Sequence, residues 1–215
     1  MFAATSAFFT ASAALVTGYL STGAGDSSAT SRTTATWNHI VDDTTNGYLV
    51  VYVMHYNSAY TISSVTCNGT NMTAISAQVN WSDGGSYGLR AYGIANPTVG
   101  TNTIVATLSS STYITGQSVF YSNVDGSNVS TSTTFSNASI PWSDSVTVPA
   151  SGMVSHAFGS LGAPADTPTG GTIRYNYGTH YNWLTIQDTD TSDTFATVSG
   201  NGRGWGAISV SLPRA

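Results

Sequence analysis

Residues 48–56 read YLVVYVMHY, nine positions at which apolar and aromatic side chains run almost without interruption. Val and Tyr favour strands. A strand that is apolar at nearly every position, rather than at alternate ones, is expected to be covered on both faces. It follows DDTTNG (42–47), where Asn46-Gly47 marks a turn. A core strand with sheet packed above and below it is therefore the starting point for the fold.

The same grammar continues on both sides. TWNHIV (36–41) precedes the run, and ISSVTC (62–67) follows it, meeting Asn68-Gly69, a strong hairpin signal, before MTAISAQV (72–79) returns. NWSDGGS (80–86) reads as a loop, YGLRAYGIA (87–95) as a strand, and NPTVGTN (96–102) as a turn punctuated by Pro97 and Gly100. TIVATLSS (103–110) and QSVFYSNV (117–124) complete a first half. STSTTFSNASIPW (130–142) reads as a looser stretch separating it from a second half. There, DSVTVPASG, MVSHAFG, TIRYNYG, WLTIQDT, DTFATVSG and WGAISVSL recur between turns. Alternation in AISVSL sets Ala207, Ser209 and Ser211 on one face and Ile208, Val210 and Leu212 on the other. Short strands about every ten residues indicate an all-β fold, an antiparallel β-sandwich.

Composition supports this and narrows the function. Only 7% of the 215 residues are charged, and all five cations are Arg and all ten acids Asp. With no Lys or Glu, the polar surface has to be built from hydroxyls and amides, which suits protein contacts or sugars. The net charge of −5 and the scattered Arg32, Arg90, Arg174, Arg203 and Arg214 argue against nucleic acid as a partner. The single cysteine, Cys67, excludes an internal disulfide framework.

The first 21 residues, MFAATSAFFTASAALVTGYLS, carry no charge. No basic residue precedes Arg32, as a secretion signal would require. Thr5, Ser6, Thr10, Ser12 and Thr17 interrupt the apolar run that a membrane span needs. The stretch is expected to stay with the folded protein as an extended arm or strand, docked on its own domain or on a neighbouring copy. Residues 1–35 are accordingly read as an arm and 36–215 as the sandwich domain.

Candidate chemistry is sparse. DTDTSD (188–193) offers Asp188, Asp190 and Asp193 at spacings that could converge on a structural Ca²⁺, although the glycine and bidentate Glu of an EF-hand are missing. The alternative is an exposed acidic loop. His39, His55, His156 and His180 lack zinc-site spacing, and His55 is expected to be a hydrogen-bonded core histidine. No G-x-S-x-G elbow supports a serine triad. Cys67, beside the Asn68-Gly69 turn, reads as a buried spectator. The aromatics Trp81, Trp142, Tyr177, Tyr181 and Trp183 are candidates for a sugar platform, with core or interface packing as their alternative.

The motif order WNHIV (37–41), NGYLVVYV (46–53), ISSVTCNGTNMT (62–73), LRAYGIANPTVGTNTI (89–104), YSNVDGS (121–127) and WGAISVSL (205–212) resembles a class of β-sandwich, jelly-roll-like domains. These occur in phage virion proteins and in bacterial secreted or surface proteins. The resemblance spans about residues 36–213 and rests on strand and turn patterns. It implies decoration, attachment or adhesion without a shared catalytic motif. The resulting expectation is a non-enzymatic virion structural protein, a capsid decoration, cement or fibre subunit. Such a subunit would form homo-oligomers, contact other virion proteins and possess no membrane span. The alternative is a carbohydrate-binding or adhesive module at a cell surface or in the extracellular space, with a glycan as partner.

Overall fold

The computed structural model describes residues 16–42, 45–137, 142–162, 168–179, 181–196 and 204–215. In the first half these form β1 (Gly18–Thr22), β2 (Asp26–Ser27), β3 (Arg32–Val41), β4 (Tyr48–Tyr56), β5 (Ile62–Cys67) and β6 (Thr70–Asn71). They continue with β7 (Thr73–Ala74), β8 (Val79–Ser82), β9 (Ser86–Ala95), β10 (Gly100–Thr112) and β11 (Ile114–Ser122). The second half supplies β12 (Ser130–Ser136), β13 (Ser143–Val146), β14 (Met153–Ser160), β15 (Thr172–Thr179), β16 (Asn182–Thr189), β17 (Asp193–Ala196) and β18 (Trp205–Leu212). No helix occurs among the described residues, so none there is long and apolar enough to cross a membrane.

All strands pair antiparallel, in four layers. The central sheet runs β1-β11-β4-β9-β7, with β2 also on β11 and β8 on β9. An outer sheet, β3-β10-β5-β6, covers one face of it. A C-terminal sheet, β12-β18-β14-β16-β15, covers the other, and a ribbon of β13 and β17 caps that sheet in turn. The fold is an all-β sandwich extended to four layers.

The side-chain period of two divides each strand between neighbouring cores. In β4, Tyr48, Val50, Tyr52 and Met54 enter the core shared with the C-terminal sheet, while Leu49, Val51 and Val53 enter the core shared with the outer sheet. The expected double-sided burial of this strand is what the structure has: its first eight residues are all buried. β18 divides as its alternation predicts, with Ile208, Val210 and Leu212 in the central core and Ala207 in the core beneath the ribbon. The outer sheet alternates cleanly, and its wet face carries Thr34, Thr36, Asn38, Thr101 and Thr103 rather than charges. Asn68 and Gly69 make the β5–β6 turn with φ of 48° and 78°, the left-handed values that Asn and Gly tolerate at least cost.

The N-terminal residues that are described belong to this body. β1 pairs with β11 of its own chain as an edge strand, and the boundary expected at 35/36 falls inside β3. Residues 1–15 lie outside the described residues. Two segments read as irregular are strands. STSTTFS pairs without a bulge along β18. Within NWSDGGS, residues 80–82 belong to β8, which pairs with β9. Trp81 is 2% exposed because two glycines of the C-terminal sheet open a slot for its indole. A Cβ at Gly206 would stand 2.5 Å from Trp81 Cε3, and one at Gly159 3.0 Å from Cη2.

A buried polar chain ties β1, β3 and β11 together. His39 Nδ1 lies 2.8 Å from Ser118 Oγ, and its Nε2 lies 2.9 Å from Ser21 Oγ. Trp37 Nε1 donates to Ser118 Oγ at 2.9 Å, and Ser21 Oγ donates to the Ile40 carbonyl at 3.2 Å. One tautomer satisfies every group: Ser118 donates to Nδ1, and Nε2–H donates to Ser21. A protonated imidazole would present a second donor to Ser118, which already accepts from Trp37. Burial accordingly lowers the His39 pKa from 6.5 to about 4, and burial also lowers His55 and His156.

Two expectations follow. The unfolded chain protonates His39 near pH 6.5 and the folded chain only near 4. The contribution of neutral His39 is complete above pH 6.5 and lost as pH falls to about 4, costing about 3 kcal/mol. Denaturant titrations across that window should show the loss, and His39→Gln should flatten the slope. Separately, Gly206→Ala should destabilise by about 1–3 kcal/mol by overpacking the Trp81 slot; thermal denaturation of the two proteins side by side measures it.

Candidate functional site

The β15–β16 hairpin carries exposed aromatic surface. β15 lies at the sheet edge, and its Tyr177 ring is 55% exposed. Trp183, on β16, is half-buried, with its ring centroid 6.1 Å from that of Tyr177. Its indole is held in place, since Nε1 donates to Asn176 Oδ1 at 2.7 Å and Thr185 Oγ1 donates to the same oxygen at 2.9 Å. The hairpin's last pair is Thr179 with Asn182, and Tyr181 lies beyond it in the turn. His180 lies outside the described residues.

Tyr181 in that turn stacks on Tyr113, which lies between β10 and β11, with centroids 4.2 Å apart. Both rings approach Tyr56, at 5.8 and 6.1 Å. Tyr56 in turn meets Tyr87 edge-on at 5.3 Å, and Tyr87 stacks on Trp81 at 5.4 Å. A continuous line of rings therefore runs from the core to the surface. Beneath it, the buried Asn182 donates through Nδ2 to the Tyr113 carbonyl at 2.9 Å, while its Oδ1 has no hydrogen-bond partner among the described residues.

Three of the five aromatics expected to form a platform, Tyr177, Tyr181 and Trp183, thus gather at this tip. The other two do not. Trp81 is the buried root of the ring line. Trp142 is 1% exposed beneath the ribbon, against Phe158 at 4.3 Å and His156 at 5.0 Å. Neither buried indole can offer a face to a ligand. Tyr56 and Tyr113 were not expected at the site; Tyr56 ends β4 and Tyr113 lies between β10 and β11, and only the antiparallel topology brings them together.

Part of the acidic run is drawn into the fold. Asp188, Asp190 and Asp193 do border one cleft of about 290 Å³, together with Arg174. Asp188, however, points into the core. Arg174 Nε contacts its two oxygens at 2.9 and 2.8 Å, and Tyr121 donates to it at 3.3 Å. Asp193 accepts from the backbone N–H groups of Gly171 and Thr194. No three His, Cys, Asp or Glu side chains among the described residues are grouped to hold a metal ion. Asp188 and Asp193 are thus engaged by neighbouring strands, and the Ca²⁺ reading finds no assembled set of ligands among the described residues. Burial pushes the Asp188 carboxyl above the usual carboxylate range and Arg174 pulls it back. The Arg174 guanidinium also lies 3.6 Å over the Tyr19 ring, so this cluster joins β1 to β15 and β16.

The remaining titratable groups are similarly placed. His156 is fully buried, stacked on Phe195 at 4.5 Å, with Nε2 3.3 Å from Asp144 Oδ2. The contact is not aligned as a hydrogen bond, and burial, by lowering the His156 pKa, favours the neutral imidazole over an ion pair. Ser209 donates to the same carboxylate oxygen at 3.0 Å, and the Asp144 pKa is lowered, with burial opposing the effect of His156 and Ser209. His55 Nε2 lies 3.4 Å from Gln78 Oε1. Cys67 is free and buried, with burial raising its thiol pKa.

Arg174→Met should destabilise the fold by about 3 kcal/mol, because Asp188 would remain buried without its counter-ion. Adding Asp188→Asn should recover part of that loss, a non-additivity readable from a double-mutant cycle of denaturant midpoints. Comparison of the chain with protein-family models, curated proteins and solved structures finds no match in any of the three.

Proposed function

We propose that the chain is a non-enzymatic structural subunit of a virion, a capsid decoration, cement or fibre protein that works through protein–protein contacts. The observation that carries this reading is the use to which ionisable side chains are put. Asp188 with Arg174 and Asp26 with Arg32 at 2.7 Å hold strands together, and Asp144 accepts from Ser209 across β13 and β18. Groups spent in this way bind sheets and are not poised to react. The resemblance to phage and bacterial surface sandwiches points in the same direction.

Assembly would begin at the N-terminal side. Residues 1–15 are uncharged and rich in Ala and Phe. They lead into Val16 and Leu20, which are 59% and 44% exposed. Apolar side chains of this kind on a chain with so few charges suit a surface that becomes covered by another subunit. On this reading the protein resides in the virion. A carbohydrate-binding or adhesive module at a cell surface is the second reading, and the exposed ring of Tyr177 favours it.

Sedimentation of the intact chain tests the assembly reading. A discrete homo-oligomer is expected, and Phe8→Asp with Phe9→Asp should shift it toward monomer at unchanged melting temperature. A monodisperse monomer across micromolar concentrations would sink it.

A further inference from the structure

We infer that the tip of the β15–β16 hairpin is a binding site for a neutral glycan, with Tyr177 and Trp183 as its stacking surfaces and Asn176 as its polar contact. A pyranose ring has an apolar C–H face bounded by hydroxyls. It is matched by an exposed aromatic face beside amide groups, since the ring covers the carbon face while the amide pairs with the hydroxyls. Tyr177 supplies the exposed face, at 55%. The indole of Trp183 is fixed by its hydrogen bond to Asn176 Oδ1, so little side-chain freedom is lost when a ligand arrives. Asn176 is itself exposed, and its Nδ2 has no partner among the described residues.

The surroundings favour a neutral ligand. The cation that strand register places next to the tip is Arg32, opposite Thr112, the residue before Tyr113. Arg32 is already committed to Asp26 at 2.7 Å. Its charge is compensated by that carboxylate, so an acidic sugar would find no uncompensated guanidinium there among the described residues. Tyr113 and Tyr181, stacked at 4.2 Å, flank the tip as a second half-exposed aromatic surface, enough for more than one sugar unit. The site adds a ligand to the assembly reading without depending on it. A monomer that binds glycan would remove that reading and leave the site intact, and an oligomer that binds none would do the reverse.

Affinity electrophoresis of the full chain through gels containing soluble β-glucan, mannan, galactan or polysialic acid tests the site. Retardation by at least one of the three neutral polysaccharides is expected. Tyr177→Ala and Trp183→Ala should each weaken it about tenfold, while Thr103→Ala, on the wet face of the outer sheet, leaves it unchanged. Melting curves of both aromatic variants would show whether they remain folded, and Asn176→Ala provides a third variant that removes no ring. Retention by none of the neutral polymers, retention by polysialic acid alone, or equal retention by the parent and all three tip variants would each overturn the proposal.

Discussion

The inner strands of the central sheet, β4 and β11, have no face in contact with water, and the rest of the molecule is built to keep them dry. A sheet with two apolar faces needs a covering layer on each. The outer sheet meets one and the C-terminal sheet the other, so the chain divides near residue 125 into a half that builds the central and outer sheets and a half that builds the other cover. The C-terminal sheet then repeats the problem on its own far side, where Val154 and Phe158 face away from the central core. The β13–β17 ribbon covers them. Four layers follow from the first commitment to burying YLVVYVMHY on both sides.

Such layering leaves little room for charge. A buried polar group is tolerated only when its hydrogen bonds are met, and hydroxyls meet them with short side chains that adjust to either role. Ser118 accepts from Trp37 while serving His39. Tyr52 reaches both the carbonyl and the hydroxyl of Ser155, at 3.1 and 3.0 Å. The abundance of Ser and Thr is thus part of how layers are joined, in addition to how the surface is wetted. It also explains why histidines and aspartates that look chemically interesting in sequence end as struts.

The parts of the fold that were legible in the sequence are those set by local rules. The double-sided strand, the Asn68-Gly69 hairpin and the alternation of AISVSL each depend on residues within a few positions of one another. The parts that were not legible depend on partners far along the chain. Trp81 sits among Asn, Ser, Asp and Gly, and this neighbourhood reads as a loop; what buries it is the absence of side chains at Gly159 and Gly206, more than 70 positions away. Asp188 belongs to an acidic run and reads as solvent-facing. Its counter-ion comes from Arg174, at a bulge between Ile173 and Tyr175, and the ring beneath that counter-ion comes from Tyr19. The aromatic tip was half legible: the cluster within TIRYNYG and its turn is a local pattern, whereas Tyr56 and Tyr113 join it only through antiparallel pairing.

The same pairing gives the molecule two unlike ends. Thr17 donates through its hydroxyl to the Asn123 carbonyl at 3.0 Å, the Ala215 N–H donates to that carbonyl at 2.9 Å, and the Thr17 N–H donates to Ser151. Both outermost described segments therefore meet at the end where β4 begins, beside Tyr48. The ring line lies where β4 finishes, at Tyr56, roughly 27 Å away at about 3.4 Å per residue. Between the two ends the strands are hydrogen-bonded and buried, so the spacing is rigid. If the N-terminal side is held by neighbouring subunits, the aromatic tip is carried outward at a fixed distance and orientation. In such an array a glycan site built on stiff strands could be shallow and still bind, because repeated copies would present it in parallel and raise the effective concentration of each site for a ligand already held by its neighbour.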